Sequence, residues 1–238
     1  MIAVFTLITS LIVLVGLAIP LAIASHHFRG IAPDKLTENA VIVVPVQTAA
    51  YLLVVGFMMQ ILRVKYHADF AKAIGWNRPA LRTALFAVAG GGLLALVSEI
   101  VSMLLQKWIP KSLPIDELFR DAQSAYLLSF FGILVAPVVE ELFFRGFLYP
   151  VLARATGAIA GILLTAAAFA VVHQGQLAHA WIPLLLIFGV GVALTTVRAK
   201  TKSVATTVLM HASYNATIFI LVFISTQGFH HLEHAAVR

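Results

Sequence analysis

The sequence predicts an all-α fold, a polytopic transmembrane bundle of about seven membrane-spanning helices, and three observations predict it. Hydrophobic residues fill 61% of the 238 positions and charged residues only 11%, too little polar surface for a soluble globule of this length. The apolar residues are gathered in runs of about 20, the length at which a helix crosses the hydrocarbon core. The connections between runs are short, and no soluble domain is inserted. The whole chain, 1–238, is therefore expected to form a single membrane-embedded domain.

The expected spans, in order, are Ile2 to Ala24, Ala40 to Leu62, Thr83 to Leu105, Tyr126 to Ala153, Ala155 to Val172, Trp181 to Val197 and Val204 to Ile224. The first has a small-residue triplet, Ala22-Ile23-Ala24, that resembles a signal-peptide cleavage site. No Lys or Arg precedes it and the apolar run exceeds a usual signal core, so a retained helix is expected. In the third span, Gly90-Gly91-Gly92 permits close helix approach. Between the third and fourth, Leu113 to Arg120 begins with proline and places acids in its first turn, the pattern of a short amphipathic interfacial helix or of a solvated connector. The last three spans are short or broken by small residues.

Charge refines this picture. The net charge of +6 is spread over loops without a nucleic-acid motif, so it suits a bilayer surface, and no nucleic-acid partner is expected. With seven spans, one face carries nine Lys and Arg residues and the other six, which places the N-terminus in the cytoplasm. The chain has no cysteine, which removes disulfides, thiolate metal sites and a Cys nucleophile. A multi-pass protein this compact is expected in a prokaryotic cell membrane.

Of the ten acidic residues, seven lie in polar connections or the tail. Glu99, Glu140 and Glu141 lie inside apolar spans, where a carboxylate is costly and persists mainly when paired or put to use. Glu141 and Arg145 are one helical turn apart and suit an intrahelical ion pair. Glu140, turned about 100° around the helix, is left for chemistry. Two more pairs have the same spacing, Phe169 with His173 and His211 with Asn215. Counted from the chain reversals at Thr156 and Thr201, Glu140, His173, His211 and Asn215 lie about 24, 26, 15 and 21 Å from one membrane face, on the rise of straight helices. Residues from three helices thus share a depth. Glu99 is expected to be a hydrogen-bonded structural acid, with a place on a cavity wall as the alternative. Tail histidines His230, His231 and His234 lie away from that depth.

A carboxylate in such a site can act as general base on water, and a histidine can share the proton. A second histidine and an amide can donate to a developing oxyanion. The same Glu140, His173 and His211 also make a two-His, one-carboxylate set for zinc, so cofactors stand at none or zinc. No span holds an aspartate, and no Gly-x-Ser-Gly or His-Glu-x-x-His element is present, which excludes the other common intramembrane protease chemistries. A proton channel or a non-catalytic immunity or scaffold protein would also bury Glu and His. A transporter would be expected to show inverted halves, whereas these polar residues cluster in the second half.

Glu140-Glu141-Leu142-Phe143-Phe144-Arg145, Phe169-Ala170-Val171-Val172-His173 and His211-Ala212-Ser213-Tyr214-Asn215 occur in that order. In this the chain resembles the type II CAAX prenyl endopeptidases, also called Abi or CPBP intramembrane proteases, over a protease core of about 126–220. The resemblance implies hydrolysis of a peptide bond in a membrane-associated substrate, a prenylated C-terminal tripeptide in some members. It also implies roles. Glu140 is the water-activating base assisted by His173, His211 and Asn215 are oxyanion stabilisers or part of a metal site, and Glu141 with Arg145 is a supporting pair.

Overall fold

The computed structural model describes residues 39–232, and these form helices and turns with no strand among them. The expected first span and His234 lie outside the described residues. The remaining six spans are all present as helices. They are α1 (Ala40–Val64), α3 (Leu81–Leu104), α4 (Ala122–Thr156), α5 (Ala158–Val172), α6 (Trp181–Thr201) and α7 (Val204–Ser225). Five of them are long and apolar enough to cross a membrane, and α5, with 15 residues, is the shorter apolar helix. Large apolar side chains cover the outside, with Phe86 77% and Trp181 80% exposed. In water such a surface would be an aggregation liability; against lipid it is the expected one.

Helix ends follow the local sequence. Asn39, Asp121 and Ser203 cap α1, α4 and α7 by accepting from the backbone N–H of Val41, Ser124 and Thr206. Such caps satisfy donors that the first helical turn leaves open. Gly157, at φ +87°, makes the expected reversal between α4 and α5, a conformation open to glycine at little cost. The connection after α1 holds a five-residue helix that the sequence patterns did not suggest, α2 (Phe70–Ile74), capped by Asp69 and ended by a left-handed Gly75. The stretch after α3 holds two short 3-10 helices, Gln106–Trp108 and Pro114–Leu118. The second starts at the expected proline with its acids in the first turn, is pinned by Asp116 accepting from the N–H of Leu113, and is five residues long within a connector.

Helix α4 is not uniform. Two stretches, Phe131–Val135 and Leu142–Leu148, are π-helical, and each is followed closely by a proline, Pro137 or Pro150. Proline has no N–H and its ring crowds the carbonyl four residues back, so widening the preceding turn relieves the clash. At both places a side chain from another helix supplies the missing donor. Ala136 N–H bonds Phe131 O, and the next bond of that ladder would run from residue 137 to Gly132 O. Asn215 Nδ2 of α7 donates there instead, at 2.6 Å. Likewise Tyr149 N–H bonds Phe144 O, and Arg145 O, next in line for residue 150, accepts from Arg198 Nε of α6 at 3.1 Å. Arg198 also donates to Ile74 O of α2 at 3.3 Å.

Helices α3 and α7 cross closely. A Cβ at Gly91 would stand 2.1 Å from Met210 O, which bears out the expectation from the glycine triplet. Ala87, Val190, Leu194 and Met210 bury one another where α3, α6 and α7 meet. Met58, Ile74, Leu142 and Val204 form a second cluster joining α1, α2, α4 and α7. Together these contacts hold α7 against α4, and with it the face carrying His211 and Asn215.

Candidate active site

Glu140 and Glu141 stand on the short α-helical stretch between the two π turns, Ala136–Glu141. Glu141 and Arg145 are both fully buried, and Arg145 Nη1 donates to Glu141 Oε1 at 2.7 Å. The rest of the guanidinium is also engaged. Nε donates to Thr195 Oγ1 at 3.2 Å and Nη2 to Gly191 O at 3.1 Å, both on α6. Its carbon lies 4.5 Å from the ring centre of Phe169, within cation–π range. A buried ion pair is tolerable when further hydrogen bonds complete it; the guanidinium is so completed, whereas Glu141 Oε2 is buried with no hydrogen-bond partner among the described residues.

Glu141 does more than neutralise Arg145. His211 Nδ1 lies 2.9 Å from Glu141 Oε1. Because the carboxylate can only accept, Nδ1–H is the donor, which leaves Nε2 as the nitrogen available for proton exchange. That Nε2 faces Glu140 Oε2 at 3.9 Å. The sequence separates a structural acid from a chemical one. The fold joins them through His211, which touches both.

Glu140 has a further partner that the sequence patterns missed. Tyr51 Oη of α1 donates to Glu140 Oε1 at 2.6 Å. The available signal was the pair Gln47 and Tyr51, two polar side chains one turn apart in an apolar span.

His173 is held by its own helix. It caps the C-terminus of α5, and its Nδ1 donates to Phe169 O at 2.7 Å, leaving Nε2 free for chemistry. No hydrogen bond or ion pair links it to Glu140 among the described residues. Phe169 packs on both imidazoles, with ring centres 4.7 Å from His173 and 5.7 Å from His211. Helix α5 spans about 22 Å at the usual rise, less than the hydrocarbon thickness. The backbone turns into a 3-10 segment, Gln174–Leu177, right after His173. Irregular backbone at such depth is tolerated where protein or a hydrated cavity satisfies it.

Asn215 directs one amide hydrogen to Gly132 O and retains a second. Ser213 donates to Val88 O of α3 at 2.7 Å. Glu99 lines a separate cavity of about 260 Å³ with Ser102, Ser225 and apolar residues of α3 and α7.

The donors do not fit a metal ion as arranged. No group of three or more His, Asp or Glu residues is disposed to hold one among the described residues. Tyr51 donates to Glu140 Oε1, and no hydrogen bond or ion pair joins His173 to Glu140 among the described residues.

Residues 122–217 match the family model for type II CAAX prenyl endopeptidase Rce1-like proteins. Over this segment the chain is similar to that family. No curated protein and no solved structure matches the chain. The Rce1-like segment begins at the capped start of α4 and ends within α7, so it contains Glu140, Glu141, Arg145, His173, His211 and Asn215. Tyr51 lies outside it. Five helices among the described residues are long and apolar enough to cross a membrane, and the matched segment takes in α4 and α6 whole, the shorter α5 between them and the first part of α7.

Proposed function

We propose that this protein is an intramembrane endopeptidase that hydrolyses a peptide bond of a membrane-associated, CAAX-type prenylated substrate. In this reading Glu140 activates the water. The observation that carries it is the facing pair, Glu140 Oε2 and His211 Nε2, 3.9 Å apart inside the segment matched to the endopeptidase family. That gap is too long for a direct hydrogen bond, and one water with hydrogen bonds of about 2.8 Å spans it.

The water's oxygen attacks the scissile carbonyl carbon as one of its protons passes to Glu140. The carbonyl π electrons move onto oxygen. The second amide hydrogen of Asn215 is the donor available for that oxyanion. Collapse re-forms the C=O bond and breaks the C–N bond, and the leaving nitrogen takes the proton from Glu140, giving an acid and an amine. His173, through Nε2, relays protons at the edge of the site. Glu141 and Arg145 hold His211 in its working tautomer.

The test uses purified protein in lipid vesicles and a farnesylated CAAX peptide. Wild-type protein is expected to cleave it after exhaustive chelation, and Glu140→Gln to lose activity by a factor of about 10² or more while remaining folded. Activity that returns only with added zinc, or full turnover by Glu140→Gln, overturns the proposal. Proton flux through vesicles without cleavage would instead favour a channel.

A further inference from the structure

We infer that Tyr51, on a helix outside the family-matched segment, is a positioning residue that fixes the orientation of the Glu140 carboxylate. The inference rests on the reading of Glu140 as the base. Three observations support it. The first is the 2.6 Å bond from Tyr51 Oη to Glu140 Oε1, a length typical of a hydroxyl donating to an ionised carboxylate.

The second is that the hydroxyl is itself held. Its ring stacks on Phe131, with centres 5.7 Å apart and planes 19° from parallel. Gln47 stands one turn earlier on the same helix, on the side of α1 that carries Tyr51 and within interaction range of its hydroxyl. Phe131 opens the first π turn of α4, so the turn ahead of Glu140 also seats the ring that reaches it.

The third is the competition at Glu140. The Arg145 guanidinium lies close enough to interact electrostatically with Glu140 as well as with Glu141. A glutamate has three rotatable bonds, and in an apolar medium an opposite charge is a strong attractor. Unheld, the Glu140 carboxylate would turn towards Arg145 or close directly on His211, displacing the water between them. Tyr51 takes up Oε1 and leaves Oε2 facing His211. The carboxylate is divided into one anchored oxygen and one working oxygen.

The variant to make is Tyr51→Phe, which keeps the stacked ring and removes only the donor. Kinetics are measured in vesicles on a farnesylated CAAX peptide, with the infrared carboxylate bands recorded on the same samples. The Glu140 band is assigned by its loss in Glu140→Gln. Expected is a kcat lower by about 10- to 100-fold, the effect of removing one charged hydrogen bond, with KM within about twofold. The Glu140 band should move, and thermal stability should stay near wild type. Gln47→Leu, which leaves Tyr51 intact, should move the same band less, and it serves if Tyr51→Phe does not fold. Unchanged kcat and an unmoved band in a chain whose Glu140→Gln variant is inactive overturn this inference alone. Full turnover by Glu140→Gln overturns the reading of Glu140 as base, and the inference with it.

Discussion

Asn215 donates its side-chain amide to the carbonyl of Gly132 at 2.6 Å, the position that residue 137 would occupy were it not proline. The residue expected at an oxyanion therefore has a structural task as well. It closes the gap that Pro137 makes in the backbone ladder of α4, one turn before Glu140. Arg198 does the same for Pro150 by donating to Arg145 O. Two prolines on α4, each compensated from a different helix, hold both ends of the segment carrying Glu140, Glu141 and Arg145.

Replacing Asn215 by Ala should therefore cost about 1–3 kcal/mol, the penalty of a buried acceptor left without a donor. Pro137→Ala in the same chain should recover much of that stability, because residue 137 then supplies its own N–H. Unfolding in detergent measures both. If Asn215 also serves the oxyanion, the double variant regains stability without regaining turnover. Recovery of both would reduce Asn215 to its structural task.

Arg198→Ala should destabilise by a comparable amount, about 1–3 kcal/mol. Here Pro150→Ala should rescue only in part, since Arg198 also bonds Ile74 O. Complete rescue would mean that the contact to α2 contributes nothing measurable.

Removing Arg145 alone should be among the most damaging changes in the chain. Arg145→Ala leaves Glu141 buried without its cation, a loss of about 3–5 kcal/mol, read as reduced yield of folded protein. The double variant Glu141→Gln with Arg145→Met removes both charges, and it should be more stable than the sum of the single effects, with coupling of about 1–3 kcal/mol. Normal stability of Arg145→Ala with abolished turnover would assign Arg145 to chemistry.

At Gly91 the test is steric. Gly91→Ala would put a methyl group 2.1 Å from the Met210 carbonyl oxygen, forcing α3 away from α7 at a cost of about 1–3 kcal/mol. Because Met210 precedes His211, the displacement should also lower turnover. Unaltered stability would show that the crossing relaxes freely.

The pairing of Glu141 with Arg145 was legible because i,i+4 spacing on one helix fixes proximity. The depth count grouped Glu140 with His211 to within about 9 Å on straight helices, and their side chains approach to 3.9 Å. Orientation was beyond it, because the π turns on either side of Glu140 change the phase of α4 and local spacing carries no trace of how neighbouring helices tilt. His173 shows a second limit: i,i+4 spacing put it on one face with Phe169, and only the end of α5 at this residue showed that its Nδ1 bonds the Phe169 carbonyl, one of those the last helical turn leaves open.

The sequence by itself determined the membrane class, the six described spans, the tight crossing at Gly91 and the identity of the intramembrane polar residues. Each of these follows from composition, run length or spacing along one helix. Only the tertiary structure decided the partners: His211 between two glutamates, Tyr51 on Glu140, and Asn215 and Arg198 on the carbonyls freed by proline. Those contacts join residues 53 or more positions apart, as in Arg198 with Arg145, and depend on helix tilt and rotation. Tilt and rotation are set by packing between helices, because lipid solvates every apolar face alike and leaves the sequence of one span nearly silent about its neighbours.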